Sequence, residues 1–360
     1  MPLPPILEGR LRLPLVAAPM FLASGPDLVL ACCRAGIVGS FPAKNQRTLE
    51  GFDGWLQTIR DGLAAGHVTA ANTTVDSTTV DSTTTDRAGG GPMPPYAVNL
   101  IVHRTNETLQ DELALCIRHE VPIIITSLGA VPELVDSVHD YGGLVFHDVI
   151  NLRHAQKAID AGVDGLIAVA AGAGGHTGRA SPFALVNEIR QVFAGTLLLS
   201  GAMSRGSDIA AAEMMGADLA YLGTRFIATR ECQAMDAYKQ MIVEAKLKDI
   251  VETDKVSGVN ANFLAASLAA AGLQPGDSAP EMNIDSELAE ALAEAETDAT
   301  GDDDGAVAWR DIWSAGHGVG SMDDLPTVAA LVSRLDAEYH ASCADQQVRQ
   351  ARLVSRLSAG

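Results

Sequence analysis

The chemistry of this chain starts with a histidine set among glycines. Residues 172–178 read Gly-Ala-Gly-Gly-His-Thr-Gly. Glycine and threonine neighbours build no apolar core around His176, so a ring that meets a ligand is expected. An imidazole can act as base, acid or hydrogen-bond donor near neutral pH. A second feature is a pair of glycine turns, Ser200-Gly201-Ala202-Met203 and Gly223-Thr224-Arg225. Gly201 lets the backbone approach an anion closely, and the first amides of the helices that follow would point at it. Gly223 and Thr224 add further amides and a hydroxyl. Together they suit a phosphate group. His147 and Asp148 form a third candidate. Adjacent residues on a strand face opposite sides, so only one can point into a shared site. Ala18-Pro19-Met20, Asn99 and Ser127-Leu128-Gly129 complete the set of strand-end residues.

Several chemistries are excluded. There is no HExxH and no His/Cys/Asp grouping with metal spacing, so no metal site is expected. No serine sits in a GxSxG elbow, which removes the usual hydrolase nucleophile. Gly172-Ala173-Gly174 is followed three residues later by Thr177 rather than Gly, so the dinucleotide fingerprint is absent. Gly316-His317-Gly318-Val319-Gly320 lacks its strand–helix context. His103, His119, His139 and His154 read as ordinary surface or helix residues.

The elements that must hold these residues alternate. Apolar runs at 13–20, 37–42, 96–102, 123–128, 144–149, 165–171, 196–200 and 219–226 read as strands. Helical patterns follow them at 25–36, 52–65, 107–120, 132–141, 152–161, 182–193, 207–215 and on to about 247. Buried parallel strands are apolar throughout, as in Ile123-Ile124-Ile125 and Leu197-Leu198-Leu199. Gly36, Gly142, Gly162 and Gly216 stand where helix C-caps are wanted. Eight β-then-α units predict a closed (β/α)8 barrel, with a doubly wound open sheet as the competitor. In such a barrel the active site forms at the C-terminal ends of the strands, and phosphate commonly binds after strands seven and eight. Every candidate above falls at a strand end.

The chain has 360 residues, with 25 Lys+Arg against 45 Asp+Glu, a formal charge of -20 and a hydrophobic share of 47%. That is ample for a large core. The acidic balance argues against nucleic acid or an anionic membrane as partner, since both need clustered cations. Five cysteines (32, 33, 116, 232 and 343) make no paired framework. They suit a reducing compartment. With no signal peptide and no transmembrane run, a cytoplasmic protein is expected. The sequence is silent on oligomeric state. A barrel over 1–247 is expected to carry an insertion at about 70–95, where 73–86 holds a five-residue tandem repeat. Residues 248–360 are expected to form a helical extension packing back on the barrel. This extension contains an acidic insertion at 271–305 with eleven Asp/Glu and no Lys or Arg. Asp302-Asp303-Asp304 lacks the spacing and closing Glu of a calcium loop.

Taken in order, Ala18-Pro19-Met20, Asn99, Gly174-Gly175-His176-Thr177-Gly178, Ser200-Gly201-Ala202, Gly216-Ala217-Asp218 and Gly223-Thr224-Arg225-Phe226 resemble the nitronate monooxygenase family. Trp313-Ser314-Ala315-Gly316 is similar to a C-terminal motif of that family. The resemblance implies a barrel binding FMN non-covalently and oxidising alkyl nitronates with O2 to a carbonyl compound and nitrite. It implies that Ala18, Pro19 and Met20 lie along the flavin ring and that Asn99 hydrogen-bonds it. Gly201, Ala202, Gly223 and Thr224 would hold the phosphate beside Ser200 and Gly174, while Gly175 and His176 line the substrate side. Some relatives carry Lys where this chain has Asp148, and Gln where it has His317. These residues join His147 as substrate-side candidates. Related barrels imply an alternative, an NAD(P)H-dependent flavin reductase with a quinone or enoyl-thioester acceptor. A non-catalytic flavin-binding protein is the remaining class.

Overall fold

A computed structural model describes residues 3–71, 92–273 and 310–358. The tandem repeat at 73–86 and most of the acidic stretch at 271–305 lie outside the described residues. Eight parallel strands form the central sheet: β1 (Leu15–Ala17), β2 (Gly39–Pro42), β3 (Tyr96–Ile101), β4 (Ile123–Ser127), β5 (Leu144–Val149), β6 (Gly165–Val169), β8 (Thr196–Ser200) and β9 (Leu219–Leu222). Their order is β1-β9-β8-β6-β5-β4-β3-β2. The sheet closes on itself through Val16 and Val38, where Ala17 N–H donates to Val38 O at 2.9 Å and Val38 N–H to Leu15 O at 3.2 Å. The (β/α)8 barrel expected from the alternation is therefore the fold.

Helices α1 (Pro26–Ala35), α2 (Leu49–Ala71), α3 (Leu109–Arg118), α4 (Pro132–His139), α5 (Leu152–Asp160), α6 (Pro182–Arg190) and α7 (Gly206–Met215) follow successive barrel strands. Three start with proline at the first turn, where its missing N–H costs nothing. Gly36 and Gly216 end α1 and α7 in the left-handed region, at φ 94° and 109°. Strand faces divide the core. Val16, Ala97, Ile123, Ile125, Phe146, Ile167, Leu198 and Leu219 fill the barrel interior with Leu7 from the N-terminal turn. Their neighbours Ile124, Val145, Val149, Leu166 and Leu197 face the helices. Each such fully buried side chain contributes about 1.5–3 kcal/mol.

Two differences from the sequence expectation matter for the site. Residues after 247 are not purely helical. They supply strands β10 (Ile250–Thr253) and β11 (Ala261–Leu264) before α10 (Ala265–Ala270). The glycine-rich run after β6 is not a loose loop either. Its Gly175–His176 forms β7, which pairs antiparallel with β11, Ala261 opposite His176 and Asn262 opposite Gly175. The short α8 (Thr224–Ile227) and α9 (Asp236–Glu244) follow β9. The long α11 (Val328–Ser358) crosses α7, burying Leu331 and Leu335. Gly206 is required at that crossing, since a Cβ there would stand 2.0 Å from Leu335 O.

Candidate active site

One cavity of about 620 Å³ opens at the C-terminal ends of the strands, within the size range of small-molecule sites. Ala18, Pro19 and Met20 border it just after β1, and Asn99 borders it from β3. Gly174, Gly175 and His176 come from the β6 loop, Ser200, Gly201 and Ala202 from the end of β8, and Gly223 and Thr224 from the end of β9. His147 and Asp148 also line it. The structure thus gathers all these sequence candidates around one space. His317 is the exception. Its side chain is exposed and absent from the lining, and its ring would meet a Cβ placed on Gly172 at 3.0 Å.

His176 is held from a distant part of the chain. Its Nε2 lies 3.3 Å from Ser257 Oγ, and Ser257 is fully buried. The Ser257 hydroxyl also reaches Val259 O at 3.5 Å. His176 is exposed to the cavity, and desolvation by the surrounding protein lowers its pKa to about 4. His176 is therefore uncharged near neutral pH. Asn262, 1% exposed, fastens the same loop through Nδ2–H to Ala173 O at 2.7 Å. Ser257, Asn262 and Tyr221 were not singled out by sequence reading. A lone amide inside the apolar strand Ala-Asn-Phe-Leu was the one signal for Asn262.

The opposite wall is a polar relay on the inner faces of three strands. Asn99 Nδ2–H donates to Ser127 Oγ at 2.8 Å, and Ser127 Oγ–H donates to Asp148 Oδ2 at 2.6 Å. Asp148 is the member of the His147–Asp148 pair that turns inward. His147 sits on the helix-facing side of β5, 5% exposed, with Nδ1 2.7 Å from Thr126 Oγ1. Burial, more than the charge of His154, lowers its pKa to about 4. Burial raises Asp148 to about 6, with the Ser127 hydrogen bond opposing.

The phosphate end needs one correction. The amides at the start of α7 do not point at a ligand. Ser204 and Arg205 N–H donate to Asp208 at 2.8 and 2.9 Å, and Gly206 N–H to Glu338 at 2.7 Å. Acidic side chains already satisfy that helix start. Ala202 N–H goes to Gly172 O at 3.1 Å. Among the described residues no hydrogen bond takes the N–H of Gly201 or Gly223. These two amides, with the Thr224 hydroxyl, are among the donors left at this end. Thr224 Oγ1 accepts from Gly316 N–H at 3.0 Å, so its own hydrogen remains to be donated. Arg225 supplies no charge to the cavity, because its buried guanidinium pairs with Asp324 at 2.9 Å. A glycine-lined wall with unengaged amides fits a phosphorylated planar cofactor.

Among the described residues no cluster of His, Cys, Asp or Glu could hold a metal ion. Cys32, Cys33, Cys116 and Cys232 are free and buried, and burial pushes their thiols upward, Cys33 to about 12. They make poor nucleophiles. Among the described residues no helix is long and apolar enough to cross a membrane.

The β6 loop packs directly on the C-terminal segment. A Cβ on Gly316 would lie 2.6 Å from Gly172 O and 3.0 Å from Gly174 N. Gly316→Ala is therefore expected to cost about 1–3 kcal/mol through overpacking. Calorimetry should show a lower Tm. An unchanged Tm would mean that the loop does not depend on this contact.

Fold and cavity together define a barrel of the enzyme type, with its site built from the strand-end loops. Residues 8–338 match the family described as nitronate monooxygenase, and the chain belongs to that family. It is 26% identical to a nitronate monooxygenase from Paraburkholderia phytofirmans, over 94% of each chain. It is 30% identical to a putative monooxygenase of Mycobacterium tuberculosis, over 45% of this chain and 44% of that one. Against that relative the match spans less than half the length. Two solved structures share the fold: FabK from Thermotoga maritima, with TM-score 0.73 and 21% identity over 96% and 97% of the chains, and a nitroalkane oxidase from Streptomyces ansochromogenes, with TM-score 0.71 and 23% identity over 95% and 99%.

Proposed function

We propose that this protein is an FMN-dependent nitronate monooxygenase of the cytoplasm, taking a small alkyl nitronate and O2 to a carbonyl compound and nitrite. The observation that carries this reading is the meeting of His176 with the Gly201 and Gly223 turns around one cavity, in a chain matched by the family over residues 8–338. Gly201, Ala202, Gly223 and Thr224 would hold the phosphate, beside Ser200 and Gly174. Ala18, Pro19 and Met20 would lie along the ring, and Asn99 would hydrogen-bond it. Bound FMN supplies the electron transfer to oxygen. The protein supplies position and electrostatics. His176, held by Ser257 and the β7–β11 pairing, orients the nitro group of a nitronate or takes the α-proton of a nitroalkane. Its lowered pKa keeps the ring neutral and able to accept that proton. β11 pairs with the loop and Gly316 packs against it.

An anaerobic absorption spectrum tests the reading. The purified protein should absorb near about 450 nm, as a flavin does, and bleach with propyl-2-nitronate but not with NADH. Rapid bleaching by NADH would move the assignment to a nicotinamide-dependent flavin reductase. Bound FMN with no turnover of any donor or acceptor would indicate a non-catalytic flavoprotein.

A further inference from the structure

We propose that Asp148 decides the charge selectivity of this cavity: as an anion enters, Asp148 takes one proton from solvent onto Oδ1 and presents it to that anion. The inference rests on the reading that the cavity takes a nitronate, and it adds a group that takes up a solvent proton when an anion binds.

The relay has a direction. Asn99 donates to Ser127 and to Ile125 O, at 2.8 and 3.2 Å, and Ser127 donates onward to Asp148 Oδ2. Both hydrogen bonds of the relay thus run toward the carboxyl, and Oδ2 is their end point. Oδ1 is buried and has no hydrogen-bond partner among the described residues. Among the described residues no ion pair reaches Asp148, and its pKa is set by burial and the Ser127 hydrogen bond. On β6 the residue in register is Ile167. On β9 the near group is Tyr221, whose phenol burial, and then the Asp148 charge, push upward, so it stays neutral. His147 lies on the other face of β5, bonded to Thr126, and is neutral near pH 7. His154 and Lys157 of α5 also line the cavity, with His154 lowered by burial and by Arg153 and Lys157.

An ionised Asp148 and a ligand anion would therefore share one poorly solvated space, where like charges repel strongly. A single proton removes the conflict. It converts Oδ1, an acceptor without a partner, into a donor aimed at the anion. The balance is simple: one proton enters from solvent with each anion and leaves with it, and no bond to carbon is made or broken. A raised carboxyl pKa is what such a group needs in order to exchange protons near neutral pH.

The test is titration calorimetry of the FMN-loaded protein from about pH 5.5 to about pH 8.5, in buffers of different ionisation enthalpy. Sodium nitrite is the anionic probe and isobutyramide the uncharged one. In the wild type, nitrite should bind with uptake of about one proton on the alkaline side, and its Kd should rise about tenfold per pH unit there. Isobutyramide should show neither effect. Asp148→Asn should bind nitrite with no proton uptake and a flat pH profile. Ser127→Ala removes a hydrogen bond that favours the ionised form, so it should shift the onset of weakening to higher pH. That variant also serves if Asp148→Asn folds poorly. Nitrite binding that is independent of pH in the wild type, or proton uptake that persists in Asp148→Asn, overturns the proposal and leaves the nitronate reading standing. Failure of both probes to bind FMN-loaded protein overturns both.

Discussion

Replacing His176 with alanine is expected to lower kcat/KM for propyl-2-nitronate by about 10²–10⁴, the usual worth of a positioned acid–base group. FMN should remain bound, because its phosphate is assigned to Gly201, Ala202, Gly223 and Thr224, just after β8 and β9, while His176 stands on β7. The histidine reaches the cavity on β7, and Ser257 fixes its Nε2 from 81 residues away. Its imidazole is neutral above about pH 4. The sign of the pH effect follows: a role that needs the neutral ring fails only as pH falls through about 4, so His176 contributes no inflection between pH 5 and 8. Any alkaline decline belongs to another group, and the wild-type decline should persist in His176→Ala. His176→Gln separates the two roles. An amide can still donate to a nitro oxygen but cannot take a proton, so partial rescue with nitronates and none with neutral nitroalkanes is expected. Unchanged turnover in His176→Ala would remove the residue from the mechanism.

Gly201→Asp should weaken FMN binding by a hundredfold or more, measured by fluorescence titration of the apoprotein. Two effects combine. The backbone at Gly201 has φ 130°, and a Cβ would stand 3.0 Å from Ala171 O. Any side chain is strained there. The carboxylate would also face the cofactor phosphate. At about 4 Å and an effective dielectric of about 20, one such charge pair opposes binding by about 4 kcal/mol. Gly201→Ala isolates the steric part and should lose much less. Since a tenfold change in Kd is about 1.4 kcal/mol, the difference between the variants measures the electrostatic share. Equal losses in the two would mean that the phosphate lies elsewhere, as would full affinity in Gly201→Asp.

Legibility differed between the two halves of the site. The phosphate turns were readable because glycine at a strand end is a local requirement for close approach, and both turns do border the cavity. The expected use of the α7 amides was not borne out. Asp208, which takes the Ser204 and Arg205 amides, is the third residue of that helix. Glu338, which takes Gly206 N–H, lies 132 residues away. His176 was readable from its glycine neighbours, but its rigidity was not. A Gly-rich run looks mobile until β11 pairs with it. Strand alternation permitted only one of His147 and Asp148 to turn inward, yet it could not say which. That depended on the register placing Asp148 beside Ser127 of β4.

What the amino-acid order determined alone was the set of local features: eight apolar runs, the helices between them, the glycine caps and the strand-end residues. These rest on periodicity and on φ/ψ freedom, which act over a few residues. What only the tertiary structure decided was how the mouth is enclosed. Ser257, Asn262 and Gly316 reach the β6 loop across 81, 89 and more than a hundred residues. Such contacts form only once the barrel has closed and α11 has packed across α7. No local pattern encodes them, because their energy comes from packing between surfaces that do not exist before the chain has folded.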